Sequence, residues 1–429
     1  MNNLFTPIWT SELWKPVWGD AISIWPNDLA AMQRLFSNGE LGGYWPADPA
    51  YAYEDSAGTT AASVNGVVGL RFDVSNGVAL GPDLVTNGGF ATGDLSGWSV
   101  TQKPPTQGVI TYESGAVRID GDGSWYPNIL QDILSVGSIY IVTFNKINES
   151  GTTGFWRFQL GDNIFEKQGC QIGVNQFSGV CGGPSVSFAL LSSFNGSIVV
   201  DDITCKEILG NHAIQTTTGN KPYLRLTPTT NKPWYDSNTW TGALTATFSG
   251  ALGSACTIAT VTPEGVSILE SQTVGATYNI CPAYGYNADV LIIDRALTVA
   301  EKALVTRVMQ RSVPSLGSNL AVNGSFATDT DWTKGTGWSI DGTAAKSAGT
   351  ASNLTQTLGV SGNQYRVTAD ITRTAGTVGA YNGTAQIGAT AATETAAKYA
   401  MKTTSTTVGF RGDASFSGTV DNAVIQEIL

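Results

Sequence analysis

Two stretches of the chain, 81–209 and 317–429, repeat one another, and a unit used twice has to carry its own core. The first copy opens Gly81-Pro82-Asp83-Leu84-Val85-Thr86-Asn87-Gly88-Gly89-Phe90-Ala91-Thr92 and reaches Gly97-Trp98-Ser99-Val100. The second opens Gly317-Ser318-Asn319-Leu320-Ala321-Val322-Asn323-Gly324-Ser325-Phe326-Ala327-Thr328 and reaches Gly337-Trp338-Ser339-Ile340. Both close alike, Val200-Asp201-Asp202-Ile203 leading to Glu207-Ile208-Leu209 and Val420-Asp421-Asn422-Ala423 leading to Glu427-Ile428-Leu429. Between these ends, segments such as Ala116-Val117-Arg118-Ile119, Ile139-Tyr140-Ile141-Val142-Thr143-Phe144 and Tyr365-Arg366-Val367-Thr368-Ala369-Asp370-Ile371 alternate with the period of half-buried strands. About eight short strands per copy, the first and last strongly marked, predict a jelly-roll sandwich closed by its terminal strands.

At 429 residues there is room for several such cores. Only 13% of residues are charged and 50 are glycine, which suits short strands joined by tight turns. The expected class is all-β: several β-sandwich or jelly-roll domains, one inserted into another, with a short N-terminal segment and one short helix near 299–311. The net charge of -11 is spread without a Lys/Arg run, so neither nucleic acid nor an anionic membrane is an expected partner. No stretch approaches the roughly 20 apolar residues that span a bilayer, so membrane insertion is not expected. The start of the chain lacks a basic run followed by an apolar one and reads as mature protein made in the cytoplasm. A single histidine argues against zinc, and Cys170, Cys181, Cys205, Cys256 and Cys281, odd in number and without CxxC spacing, read as buried thiols whose pairing the sequence leaves open.

The phrase Asn-Gly-x-Phe, then Gly-Trp, then Val-Asp-Asp-Ile resembles the carbohydrate-binding modules of the galactose-binding-like jelly-roll superfamily, and the resemblance covers both copies. It implies a sugar-binding function. In that family a Glu after the Phe helps hold a structural calcium ion; here Ala91 and Ala327 stand there, and the expectation is no cofactor, a structural calcium ion being the alternative. Sugars are gripped by aromatic faces with polar groups alongside. Copy one carries such rings in its middle, which makes Trp125, Tyr126, Trp156 and Phe158 the candidate glycan contacts. Copy two has no Trp after Trp338, only Tyr365, Tyr381 and Tyr399, and reads as structural. Its Arg411-Gly412-Asp413 spells an adhesion tripeptide between apparent strands and is read as accidental.

Around copy one lies a second pattern. Gly43-Tyr44-Trp45-Pro46-Ala47-Asp48-Pro49, Glu54-Asp55-Ser56-Ala57-Gly58-Thr59-Thr60 and Val67 to Gly77 precede it, and Gly210-Asn211-His212-Ala213 follows it. Joined, these resemble a concanavalin-like, laminin-G-like domain common in bacteriophage structural proteins, whose Asp-x-Ser-Gly-Asn-Gly-Asn-His-Ala phrase is here interrupted. The expected organisation is an attachment segment at 1–40, a split sandwich at 41–80 and 210–313, an inserted jelly roll at 81–209 and a C-terminal one at 314–429. Thr298 and Glu301 form a capping box for a helix whose apolar face is Ala300, Leu304, Val305 and Val308. His212 lacks a readable nucleophile or carboxylate pair and is read as a turn residue.

Residues 1–40 hold Trp9, Trp14, Trp18 and Trp25, too many large apolar groups for a solvated tail. Asp28 to Phe36 can form a brief helix with Leu29, Met32, Leu35 and Phe36 as its stripe. The segment is expected to dock on partner virion proteins or sister subunits, the alternative being its own host domain. Together these readings imply a virion protein, a tail fibre, spike or capsid decoration subunit that contacts host-surface glycans and assembles as a homo-oligomer, a trimer first. The alternatives are a capsid cement without ligand, and a glycan hydrolase whose best carboxylate would be Asp236, near Trp234, Tyr235 and Trp240, itself read as a turn residue.

Overall fold

The computed structural model describes residues 26–56, 58, 60–76, 80–102, 108–124, 126–153, 156–161, 163–166, 171–190, 194–227, 229–236, 244–281 and 286–429. The fold is all-β, with every strand pair among the described residues antiparallel, and it divides into two compact units. Asn76–Gly210, together with Tyr53–Ala61, makes one unit; Ala62–Ser75, Asn211–Leu429 and the chain before Tyr53 make the other. Each has its own reasons to fold.

The first unit is copy one, a sandwich of two sheets. One sheet runs Asn163–Glu166, Trp156–Leu160, Ser185–Leu190, Asn128–Asp132, Ser99–Thr101. The other runs Gly173–Val180, Ile139–Thr153, Asn195–Ile208, Ala116–Asp122, Val109–Glu113, with Leu80–Asp83 also on Asn195–Ile208. The first and last strands therefore pair, as expected of a closed jelly roll. Alternate residues of both sheets (Val142, Phe144, Phe158, Phe188, Ile198, Val200 among them) meet in one apolar core.

Copy two repeats this order strand for strand: Gln386–Thr390, Val378–Tyr381, Thr407–Gly412, Ser352–Thr357, Thr333–Lys334 in one sheet, and Glu394–Lys402, Gln364–Ala375, Ser417–Ile428, Ala344–Lys346, Trp338–Ile340 in the other. The repeated sequence phrases prove to be welds between the two ends of each copy. Asn87 and Asn323 sit at φ 52° and 50°, Phe90 and Phe326 at 48° and 51°, and Asp202 and Asn422 at 50° each. A Cβ on Gly88 or Gly324 would lie within 1.9 Å of Ile203 O or 2.2 Å of Ala423 O, which explains glycine at the point where first and last strands cross. A second pair of clamps was not visible in the sequence. Gln131 takes the Thr86 N–H at 3.1 Å and Gln356 takes that of Val322 at 3.1 Å, and each returns a bond to the same residue's carbonyl.

One expected equivalence is corrected. Trp98 stacks 6.0 Å from Phe90 and donates to Asn87 O, and the residue that does this in copy two is Trp332, 5.0 Å from Phe326 and donating to Asn323 O. Trp338 instead begins an edge strand, donates to Ser352 O and corresponds to no part of the Trp98 turn. The loop after Phe326 is shorter than that after Phe90, so the second Gly-Trp dipeptide falls one strand further on.

In the other unit, Gly42–Trp45, Val290–Ile293, Gly253–Thr262 and Gly265–Val274 form a sheet in that order. A second sheet pairs Leu70–Arg71 directly with Ala213–Ile214, the strands on either side of the insertion. Asp73 fastens them. Its carboxylate, on a residue 1% exposed, accepts the N–H groups of Tyr44, Ser75 and Asn211 at 2.9, 2.9 and 2.8 Å, and its own N–H donates to His212 Nδ1 at 3.1 Å. Trp45 donates to Asn211 O at 3.1 Å. The phrase that the sequence interrupts is thus closed in space. Copy two belongs to the same compact unit as this host sandwich, with Arg366 on Glu264 at 2.7 Å and Thr230 Oγ1 donating to Leu429 O at 2.9 Å.

Two helices pack on the host. α1 (Pro26–Gln33) continues into a tight turn at Arg34–Phe36, burying Met32, Leu35 and Phe36. Asp28 pairs with Arg307 at 2.8 Å, Gln33 donates to Val74 O, and Arg295 donates to Leu35 O. Residues 26–40 are therefore held by their own host domain, while Trp9, Trp14, Trp18 and Trp25 lie outside the described residues. α2 (Val299–Met309) has the expected capping box, and its buried face is Val305, Val308 and Met309, with Ala300 exposed rather than packed. Arg295 grips Glu301 at 2.8 Å and, with the capping bonds, holds its carboxyl near pKa about 2 against an ordinary 4.5. Because the folded pKa is depressed, the stabilisation is present above about pH 4.5 and is lost as pH falls toward about 2. The host's melting temperature should fall across that window, and Glu301→Gln should flatten the fall; an unchanged acid slope would refute the assignment.

Candidate functional site

Trp156 and Phe158 are not glycan contacts: both are 0% exposed. Strand Trp156–Leu160 alternates strictly, and Trp156, Phe158 and Leu160 all point into the sandwich. There Phe158 lies 5.4 Å from Phe144 and 5.0 Å from Phe188. Trp125 lies outside the described residues. Tyr126 is 52% exposed, just before strand Asn128–Asp132, and remains a free aromatic face.

The alternation that buries these rings turns Arg157 and Gln159 outward. In register, Arg157 faces Ala189, Ala189 faces Asn128 and Asn128 faces Thr101. The next row is Gln159, Ser187, Leu130 and Ser99. The far neighbour of Arg157 in the ladder is Glu166. This outer face is polar and half-buried, and two of its groups are conspicuous: Arg157 Nε and Asn128 Oδ1 are shut off from water and have no hydrogen-bond partner. A donor and an acceptor left open cost about 1–3 kcal/mol each, and buried polar groups are otherwise almost always paired. Their backbones stand two strands apart, roughly 10 Å, with Ala189 on the strand between them. A ligand carrying several hydroxyls, which donate and accept, suits such a pair once the side chains covering the two atoms turn aside, and Tyr126 adds an apolar ring at the end of the Asn128 strand. Sequence reasoning missed Arg157, Asn128 and Gln159, although the pattern Trp156-Arg157-Phe158-Gln159-Leu160 already puts its aromatics and its polar residues on opposite faces of one strand.

The remaining sequence candidates are structural. Asp236 lies in strand Pro233–Asp236, not a turn; it is buried against Arg225 at 3.3 Å, and burial raises its pKa while Arg225 opposes the rise. His212 serves the Asp73 fastening, with the Phe72 ring at 4.9 Å. Arg411 and Gly412 end strand Thr407–Gly412, and Asp413, in the turn that follows, accepts from Thr377 and Ser415, so the first two residues of the tripeptide belong to the sheet and only the third lies between strands. Cys181, Cys205, Cys256 and Cys281 are buried, and burial pushes the Cys205 and Cys281 thiols up to about 12; Cys170 lies outside the described residues. Ala91 and Ala327 offer no side-chain oxygen where the resembling family has Glu, and the Asn87 and Asn323 side-chain amides donate to carbonyls of the loop that follows. Among the described residues no cluster of His, Cys, Asp or Glu is placed to hold a metal, and no helix is long and apolar enough to cross a membrane. A cleft of about 260 Å³ beside the Glu264–Arg366 pair is lined by Tyr278, Asn279 and Lys398, among others.

Comparison with solved structures gives short, distant likenesses. Neighbours include carbohydrate-binding modules and a phage tailspike domain. The enzymatically active domain of tailspike protein 4 of bacteriophage CBA120 is 18% identical, covering 29% of this chain and 21% of that one, with a TM-score of 0.22. A family 61 carbohydrate-binding module in complex with β-1,4-galactotriose is 15% identical over 29% of this chain and 97% of its own, TM-score 0.22. The family 22 xylan-binding domain of Paenibacillus barcinonensis Xyn10C is 10% identical over 30% and 97%, TM-score 0.23. No family model and no curated protein matches the chain.

Proposed function

We propose that this chain is a bacteriophage virion structural protein, a fibre, spike or decoration subunit, whose inserted module binds host-surface glycans on the outer face of its five-stranded sheet. The observation that carries the binding reading is the open pair Arg157 Nε and Asn128 Oδ1 beside Gln159, Ser187 and the half-exposed Tyr126. The virion assignment rests on the Asp73, Asn211 and His212 phrase that resembles phage structural domains. Copy two serves as a brace for the host sandwich, to which it is joined by the Arg366–Glu264 ion pair and the hydrogen bond from Thr230 Oγ1 to the Leu429 carbonyl. The protein acts without chemistry of its own, is made in the host cytoplasm and is incorporated into the particle. A homo-oligomer, a trimer first, would turn weak single contacts into avidity.

A printed array of β-linked glucans, galactans and xylans, alongside lipopolysaccharides and capsules, tests the binding. A hit by the full chain, with no new reducing ends released on incubation, is expected. A blank array sinks the glycan reading, and released ends would make the protein a hydrolase. Antibodies raised against residues 80–209 should label particles; labelled lysate with bare particles would remove the virion assignment.

A further inference from the structure

We infer that the position of one arginine decides which of the two copies takes a glycan: copy one is open because its arginine stands two strands from its asparagine, and copy two is closed because its own arginine fills that place. This rests on the glycan reading above and adds to it a cause of specificity. The strand order of the two copies is the same, and the Gln131 and Gln356 clamps fix the alignment, since Gln131 pairs with Val186 and Gln356 with Val408. From that anchor Asn128 matches Asn353, Ala189 matches Arg411, and Arg157 matches Gly379.

The same outward row therefore reads Arg157, Ala189, Asn128 in copy one and Gly379, Arg411, Asn353 in copy two. In copy two the guanidinium is the immediate neighbour of the asparagine, and Arg411 Nη1 donates to Asn353 Oδ1 at 3.0 Å. The acceptor that stays open in copy one is thus satisfied from within. Neither arrangement converts readily into the other. A Cβ on Gly379 would come within 2.2 Å of Gly388 O and 2.7 Å of Ile387 O, so copy two has no room for a side chain where copy one carries Arg157. Removing Arg411 would free Asn353 without supplying the second group. Arg411 stands in copy two where the ligand would stand in copy one.

The test uses the full chain and the strongest oligosaccharide found on a printed array of neutral β-linked glycans, titrated calorimetrically. Wild type should bind one oligosaccharide per chain. Ala189→Arg, which places a guanidinium beside Asn128 as in copy two, should weaken binding about tenfold or more, the loss expected for a charge-assisted hydrogen bond. Arg411→Ala should leave both affinity and stoichiometry unchanged. If Ala189→Arg lowers the melting temperature of copy one, Arg157→Gln decides, since its side chain lies on the outer face, and it should show the same loss. Wild-type affinity in a folded Ala189→Arg protein, or a stoichiometry of two per chain, overturns the inference while leaving the glycan reading in place; wild-type affinity in Arg157→Gln overturns the inference and moves the site off this face, glycan binding itself still standing. A wild-type chain that binds nothing on the array removes both.

Discussion

Replacing Asp73 by alanine should cost the host sandwich on the order of 3–5 kcal/mol, a large part of what a domain of this kind has to lose. Three backbone N–H groups, from Tyr44, Ser75 and Asn211, converge on that carboxylate inside the protein. None of them gains water when it is removed. Each open donor carries a penalty of about 1–3 kcal/mol, so the loss exceeds the net worth of the bonds themselves. Asp73→Asn keeps the shape and part of the acceptor capacity and should fall between. Urea unfolding followed through the host, with copy one reported separately by its own transition, measures the effect. A loss below about 1 kcal/mol for Asp73→Ala would show that the strands flanking the insertion hold without their fastening.

Trp156→Ala should destabilise copy one by about 3–5 kcal/mol, the usual cost of emptying a large aromatic site in a core. The ring is fully buried, 6.4 Å from Phe144, with the Lys146 ammonium 5.3 Å from its centroid. Trp156→Phe should keep most of the packing and leave glycan affinity unchanged. Tyr126→Ala should do the reverse, staying within about 0.5 kcal/mol in stability and weakening binding. If Trp156→Phe abolished binding in a folded protein, the outer face would be the wrong face.

The same residue shows what the sequence could and could not reveal. That Trp156 belongs to a strand is plain from the alternation around it, but which face of the sheet it takes depends on where the strand joins its neighbours, and a shift of one position reverses the answer. The aromatic content of copy one invited a surface reading; the register with Ser185–Leu190 gave those rings to the core and the outer face to Arg157 and Gln159. The repeat's ends were legible because their chemistry is local. Asn87, Gly88 and Phe90 hold unusual backbone angles and a close crossing that few other residues tolerate. The α2 capping box was legible for the same reason, being complete within Thr298 and Glu301. Trp98 was matched to the wrong tryptophan because a dipeptide carries too little information to locate itself across loops of unequal length. The open pair on copy one could not be seen at all, since Arg157 and Asn128 meet only through two intervening ladder pairings.

The insertion also orders events in time. Tyr44 and Asp289, whose side chains meet inside the host, are separated by 245 positions, and Asp73 waits 138 positions for Asn211. During synthesis every residue of copy one leaves the ribosome before Asn211 can reach Asp73, so the inserted jelly roll can fold as a finished bead on an unfinished sheet. Its welded ends then hold Ser75 and Asn211 near one another, and a loop closure that would otherwise span the whole insertion shrinks to a short turn. The inserted module, made first, thereby lowers the entropic cost of closing the domain it interrupts.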